Sequence, residues 1–145
     1  MSDRSWVKFY FPALQTATPD GARALQRTLA ESDLSGCELE PANTAHPGVA
    51  RLSIEGEAAG GGEDISGRLI AEGIPFVRVW DGYTAVYECG ISAFDGETYI
   101  EFSAGEGGYP ALTAKKGVLT VEAIETFQGE LEHYRKVCAM VGRSP

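Results

Sequence analysis

The sequence predicts an α+β fold in which an antiparallel sheet of about five strands packs against three helices. Segments rich in aromatic and β-branched residues alternate with Asp-Gly pairs at 81–82 and 95–96, which predicts a three-stranded meander. Two earlier segments alternate apolar and polar residues, and three others repeat apolar residues at helical spacing. The predicted order is β-α-β-α-β-β-β-α, with the helices mainly on one face. A chain of 145 residues is the size of a single domain, which we assign to 1–145.

The first strand is predicted at residues 6–11 and the first helix at 19–32. Val7, Phe9 and Phe11 fall on one face of the strand, because side chains alternate along an extended chain. Pro12 ends it. The segment Thr18-Pro19-Asp20 then supplies an N-cap, a proline in the first turn and an early acid, which together predict a helix start.

A second strand is predicted at 49–55 and a short helix at 63–72. Ala50, Leu52 and Ile54 alternate with polar residues, as in a half-buried strand. The helix would turn Ile65 and Leu69 inward. Gly73 is placed to close it in the left-handed conformation.

The meander is predicted as three strands at 76–80, 83–94 and 97–102. Two-residue turns would pair Trp80 with Tyr83, Arg78 with Ala85 and Phe76 with Tyr87 in the first hairpin. In the second hairpin they would pair Phe94 with Glu97. Which face is buried then depends on Gly90. If the long strand is regular, the aromatic face continues into the core; if Gly90 forms a bulge, which an isolated glycine in a strand suggests, the aromatic face points outward.

The last helix is predicted at 121–141. Thr120 is its N-cap, and Leu119 and Ile124 are placed to form a hydrophobic staple. Its apolar stripe predicts that it packs against the rest of the protein. The stripe consists of Val121, Ile124, Phe127, Leu131, Tyr134, Val137 or Cys138, and Val141.

The candidate binding surface is the aromatic side of the meander around its single arginine. With a bulge at Gly90 this face is open and carries the Trp, Tyr and Arg residues typical of binding hot spots. The alternative is that the C-terminal helix covers it and Arg78 reaches the rim. The predicted binding residues are Phe76, Arg78, Trp80, Tyr83, Tyr87, Glu88, Tyr99 and Glu101.

Charge and composition restrict the classes of partner that the protein is expected to bind. The formal net charge is −9, and residues 79–114 hold six acids and no Lys or Arg. Such a field repels phosphates, so we expect no direct nucleic-acid binding and no attraction to an anionic membrane. The chain shows no secretory signal and no long apolar run, and we therefore expect a cytoplasmic protein.

No chemical motif in the sequence predicts a catalytic residue, a metal or a cofactor. The Gly60-Gly61-Gly62 segment lacks the Lys and Ser/Thr of a phosphate-binding loop. Three widely spaced cysteines do not form a disulfide framework or a Cys-x-x-Cys unit. A Cys89–His133 pair is conceivable only if the last helix crosses the meander, and two histidines do not favour a zinc site.

Three functional hypotheses follow. The first is an acidic protein-binding module, an inhibitor or antagonist of phage or plasmid type that occupies a basic surface of a nucleic-acid-processing enzyme, a defence enzyme or a toxin. The second is a small-molecule or nucleotide-sequestering protein that stacks its ligand on the aromatic face beside Arg78. The third is a small enzyme that uses Glu88 or Glu101 as acid or base.

Overall fold

A computed structural model describes residues 6–13, 15, 18–30, 37–40, 50–55, 63–80, 90–103, 110, 112, 117 and 119–143. These residues form six strands and three main helices. The strands are β1 (Trp6–Phe11), β2 (Cys37–Glu40), β3 (Ala50–Glu55), β4 (Phe76–Trp80), β5 (Gly90–Phe94) and β6 (Tyr99–Ser103). The helices are α1 (Pro19–Ala30), α2 (Glu63–Ala71) and α3 (Val121–Val141).

The six strands form one antiparallel sheet in the order β2-β3-β1-β4-β5-β6. The α+β class and the antiparallel sheet are confirmed, and β4, β5 and β6 form the predicted meander. The prediction of about five strands missed β2. That strand has four residues and lies among loop-forming residues, so its alternation is too short to stand out.

The helices cover both faces of the sheet, which corrects the prediction that they pack mainly on one face. On one face Leu25 of α1 and Ile65 and Leu69 of α2 pack with apolar residues of β1, β3, β4 and β5. On the other face α3 packs Tyr134 and Val137 with its neighbours against the aliphatic side of β4 and β5. The central strand pair β4–β5 therefore has both faces buried, and a strand of this kind does not alternate simply between core and solvent.

The first hairpin of the meander has a different register from the one predicted. Trp80 lies opposite Gly90, and Phe76 lies opposite Phe94. The predicted pairs Trp80–Tyr83, Arg78–Ala85 and Phe76–Tyr87 are wrong, because Arg78 and Phe76 already have their partners in β5. The Asp81-Gly82 turn itself lies outside the described residues.

The second hairpin turns one residue later than predicted. The Asp95 amide donates to the Thr98 carbonyl at 3.3 Å, and Gly96 has a φ of +105°, so Gly96 and Glu97 occupy the turn. Phe94 consequently pairs with Tyr99 and not with Glu97. A shift of two residues in the partner keeps every side chain on its predicted face, because the side-chain period of a strand is two.

Helix boundaries agree closely with the sequence patterns. The amide of Gly21 donates to Thr18 Oγ1 at 3.2 Å, and the amide of Ala123 donates to Thr120 Oγ1 at 3.1 Å, so both N-caps are confirmed. Gly73 is left-handed at φ +70°, as predicted for the end of α2. The staple at the start of α3 does not bury its two residues, since Leu119 is 50% and Ile124 38% exposed.

Candidate functional site

The most unusual side chain in the described residues is Arg78, a guanidinium buried in the middle of the sheet. It is 1% exposed and lies on β4, on the face covered by α1 and α2. An arginine in this position requires acceptors for its N–H groups, because a buried charge without partners is strongly destabilising. The neighbouring strands supply them.

The sheet register brings the acceptors to Arg78. Ser92 on β5 lies opposite Arg78, and Glu101 on β6 lies opposite Ser92, so all three share one face. Arg78 Nε donates to Ser92 Oγ at 3.1 Å, and Nη2 donates to Tyr99 Oη at 2.9 Å. Nη2 also lies 3.7 Å from Glu101 Oε2, and Tyr99 Oη donates to that same carboxylate oxygen at 2.9 Å. We call Arg78, Ser92, Tyr99 and Glu101 the arginine cluster.

The Trp80 ring packs against the Arg78 guanidinium of the arginine cluster. The guanidinium carbon of Arg78 lies 4.1 Å from the centroid of the Trp80 ring, within the range of a cation–π interaction. The indole occupies the space above Gly90, where an added Cβ would stand 1.9 Å from Trp80 Cζ2. Gly90 is therefore required by the close approach of the indole.

In the arginine cluster, burial and the neighbouring groups shift the pKa of Arg78 in opposite directions. Burial lowers the pKa of Arg78, while Tyr99, Glu101 and Glu63 act in the opposite direction. Burial also raises the pKa of Tyr99, which keeps its hydroxyl protonated and able to donate. The carboxylate of Glu101 has a side chain that is 46% exposed, so it reaches solvent while its orientation is fixed from within.

The structure brings five of the predicted binding residues together on one face, as in the alternative with a bulge at Gly90, but the elements that cover this face were predicted by neither alternative. Phe76, Arg78, Trp80, Tyr99 and Glu101 share one face, with the Phe76 and Tyr99 rings 6.4 Å apart. The face is not open, since the first three are buried, and the helices on it are α1 and α2, not the C-terminal helix. Its other predicted members, Tyr83, Tyr87 and Glu88, lie outside the described residues.

Two members of the site were not predicted to act there. Ser92 accepts from Arg78, and Glu63 at the start of α2 contributes negative charge near the guanidinium. The isolated arginine in the meander could have indicated Ser92, because a buried guanidinium needs hydrogen-bond acceptors on the adjacent strand. No sequence pattern indicates Glu63, since α2 packs on this face only in the folded chain.

A second polar group lies on the opposite face, where α3 meets β1. Arg143 donates to the hydroxyl of Tyr134, and its guanidinium carbon lies 5.1 Å from the Tyr10 ring centroid. Burial raises the pKa of the Tyr134 hydroxyl and of the Cys138 thiol. Cys138 is therefore a protonated, structural thiol.

Within the described residues, the remaining candidates from the sequence are not brought together. His133 is on α3 with its Nε2 3.0 Å from the Thr98 carbonyl, while Cys89 and His46 lie outside the described residues. Within the described residues no three His, Cys, Asp or Glu side chains are grouped closely enough to hold a metal ion. In the same part of the chain, no helix is both long and apolar enough to cross a membrane.

Comparison with known proteins gives a partial similarity to enzymes. The chain is 40% identical over 72 residues to a mycothiol acetyltransferase of Rhodococcus opacus (strain B4), and 39% identical over 72 residues to that of Rhodococcus jostii (strain RHA1). Each similarity covers 47% of this chain and 23% of the relative, so the match spans less than a quarter of these relatives. No family model matches, and no solved structure matches significantly.

These similarities correct the functional hypothesis drawn from composition. An acidic inhibitor or antagonist of phage or plasmid type was inferred from size and charge, features shared by many unrelated proteins. The relatives are named for acetyl transfer, and nothing in their names indicates an inhibitor. The net charge of −9 is therefore not evidence for a role in blocking a basic partner.

Proposed function

We propose that this chain is an acetyltransferase-related domain that contributes to moving an acetyl group from a thioester donor to a nucleophilic acceptor. The observation that carries the proposal is the 40% identity over 72 residues to a mycothiol acetyltransferase. Because the match covers 23% of that relative, the proposal concerns the domain and not the complete reaction of the relative.

The chemistry defines what the domain has to provide. The acceptor attacks the thioester carbonyl, a tetrahedral intermediate forms, and the carbon–sulfur bond breaks to release the thiolate. The acceptor loses a proton in this process, so a base must lie where the acceptor binds. Preorganised donors that face the developing oxyanion lower the barrier further.

We assign the proton-accepting role to Glu101. Its carboxylate reaches solvent, and the hydroxyl of Tyr99 and the guanidinium of Arg78 fix one of its oxygens from the protein side. A base that is held in one orientation by buried groups is preorganised for proton transfer. Arg78 and Tyr99 are positioning residues in this scheme, because they act through Glu101.

The experiment measures donor binding and product formation separately. The 145-residue chain is mixed with acetyl-coenzyme A and titrated by calorimetry, and then incubated with small thiols and primary amines, with acetylated products detected by mass spectrometry. We expect saturable donor binding and an acetylated product.

Glu101→Gln tests the assigned base, and Glu97→Gln is its matched control. Glu97 is an exposed glutamate in the same hairpin. We expect Glu101→Gln to lower turnover by about 100-fold or more with donor binding retained, while Glu97→Gln leaves both unchanged. Absence of both donor binding and product would contradict the function, and full activity of Glu101→Gln would contradict only the assigned base.

A further inference from the structure

The N-terminal half of α3 projects beyond the edge of the sheet. At the other end of the helix, Arg143 lies over Tyr10 of β1, and ten residues earlier His133 contacts the Thr98 carbonyl at the start of β6. The eight helical steps from His133 to the helix end at Val141 rise roughly 12 Å, close to the roughly 14 Å of three strand spacings from β1 to β6. The helix therefore crosses the strands, and residues 121–130 extend past β6 by another 15 Å or so.

The projecting half carries apolar side chains in solvent. Leu119 is 50%, Val121 70% and Ile124 38% exposed, whereas the second half of α3 buries Tyr134, Val137, Cys138 and Val141 against the sheet. Among large apolar residues in the described part of the chain, Met140 is the other exposed one. A cluster of this kind at one end of a helix marks a surface that another element covers.

The edge strand of the described sheet lies beside this helix. In the described sheet, β6 is the last strand after β5. The Asp95–Thr98 hydrogen bond sets the alternation of the ladder, so the backbone groups of Tyr99, Glu101 and Ser103 point away from β5. The edge strand of a sheet is a template for one further strand.

We propose that a second copy of this chain occupies the site, with β6 of one copy antiparallel to β6 of the other across a two-fold axis. Each projecting helix half would then lie over the other copy's sheet, antiparallel to the other copy's α3. This arrangement satisfies both edges and covers both apolar clusters with the same contact, as an isologous interface requires.

The charges on α3 favour a second copy over an unrelated partner. Residues 121–130 hold three acids and no Lys or Arg, whereas Arg135 and Lys136 lie in the second half with one acid. Antiparallel helices bring the acidic half of one copy beside the basic residues of the other. The two α3 helices are thus complementary to each other in charge.

The test is the mass of the chain in solution, measured by sedimentation equilibrium at about 100 μM, where a micromolar Kd leaves most of the protein dimeric. We expect twice the monomer mass of 15.5 kDa. Val121→Glu alone should weaken the dimer, and Val121→Glu with Ile124→Glu should give a monomer. Both positions are exposed in one copy, so the fold, followed by circular dichroism, should be unchanged.

Two further variants separate the helix from the strand edge. Ser103→Pro removes an outward-pointing N–H of β6 and should also give a monomer. Met140→Glu introduces the same charge at the exposed apolar residue near the other end of α3 and should leave the dimer intact. A monomeric wild type, a dimeric double variant or a dimeric Ser103→Pro would overturn the proposed interface, and so would a monomeric Met140→Glu. None of these outcomes depends on acetyl transfer.

Discussion

At the residue scale, Arg78 is unfavourable to bury, and its contacts hold the Glu101 side chain in place. Burying a guanidinium is unfavourable, and the hydrogen bonds to Ser92 and Tyr99, the Glu101 carboxylate and the Trp80 ring offset that cost. The same contacts fix the carboxylate that faces solvent.

Replacing Arg78 should therefore be strongly destabilising. We expect Arg78→Ala to lower the free energy of unfolding by roughly 3 kcal/mol, because it leaves a cavity and removes the partner of Ser92, Tyr99 and Glu101. The measurement is urea denaturation. Arg23→Ala is the control, since Arg23 forms an exposed pair with Asp20 and should change stability by less than about 1 kcal/mol.

Gly90 and Gly67 give a matched pair of glycine substitutions with opposite expected signs. A Cβ at Gly90 would overlap the Trp80 ring, so Gly90→Ala should lower the free energy of unfolding by about 1–3 kcal/mol. Nothing lies within 4 Å of a Cβ at Gly67 in α2, so Gly67→Ala should raise it by up to about 1 kcal/mol. Thermal and urea unfolding of both variants measure this, and a stabilising Gly90→Ala would contradict the indole contact.

At the element scale, the β5–β6 turn links the meander to α3. Asp95 Oδ1 accepts from the amides of Thr98 at 2.7 Å and Glu97 at 2.8 Å, and Oδ2 lies 3.2 Å from Lys136 Nζ on α3. This Asx arrangement explains why the turn begins one residue later than the Asp-Gly pair suggested. The aspartate side chain caps the turn, and Gly96 takes the positive φ.

The turn also gives a pH dependence that can be measured. The amides of Thr98 and Glu97 lower the pKa of Asp95 from 3.8 to about 2. Since the folded pKa is below the unfolded one, this contribution to stability is present above pH 4 and is lost as the pH falls towards 2. Asp95→Asn keeps an acceptor oxygen but does not titrate, so its unfolding free energy should fall less steeply over that interval. Equal slopes for the two proteins would contradict the assignment.

At the scale of the whole molecule, the sheet separates two cores. One core holds the aromatic residues of β1 and β4 under α1 and α2, and the other holds the aliphatic residues of β4 and β5 under α3. The prediction that the helices pack mainly on one face of the sheet was wrong. A helix pattern shows which side of the helix is apolar, but it does not show which face of the sheet that side meets. That choice depends on the chain connections.

The sequence by itself determined the local elements. Alternation, helical spacing and capping residues are patterns among residues only a few positions apart. They predict strand β1, strand β4, helix α3 and both N-caps. In the alternative with a bulge at Gly90 the sequence also grouped Phe76, Arg78, Trp80, Tyr99 and Glu101 on one face, and the two-residue shift in the second hairpin leaves side-chain parity unchanged.

Only the tertiary structure decided what surrounds that face. Trp80 pairs with Gly90 because the indole needs a partner without a side chain, and no local turn rule contains this requirement. Likewise, α1 and α2 bury Arg78, whose burial side-chain parity left undecided, and the buried guanidinium has Ser92, Tyr99 and Glu101 as its partners. Local propensity acts over a few residues, whereas these contacts join strands and helices far apart in the chain.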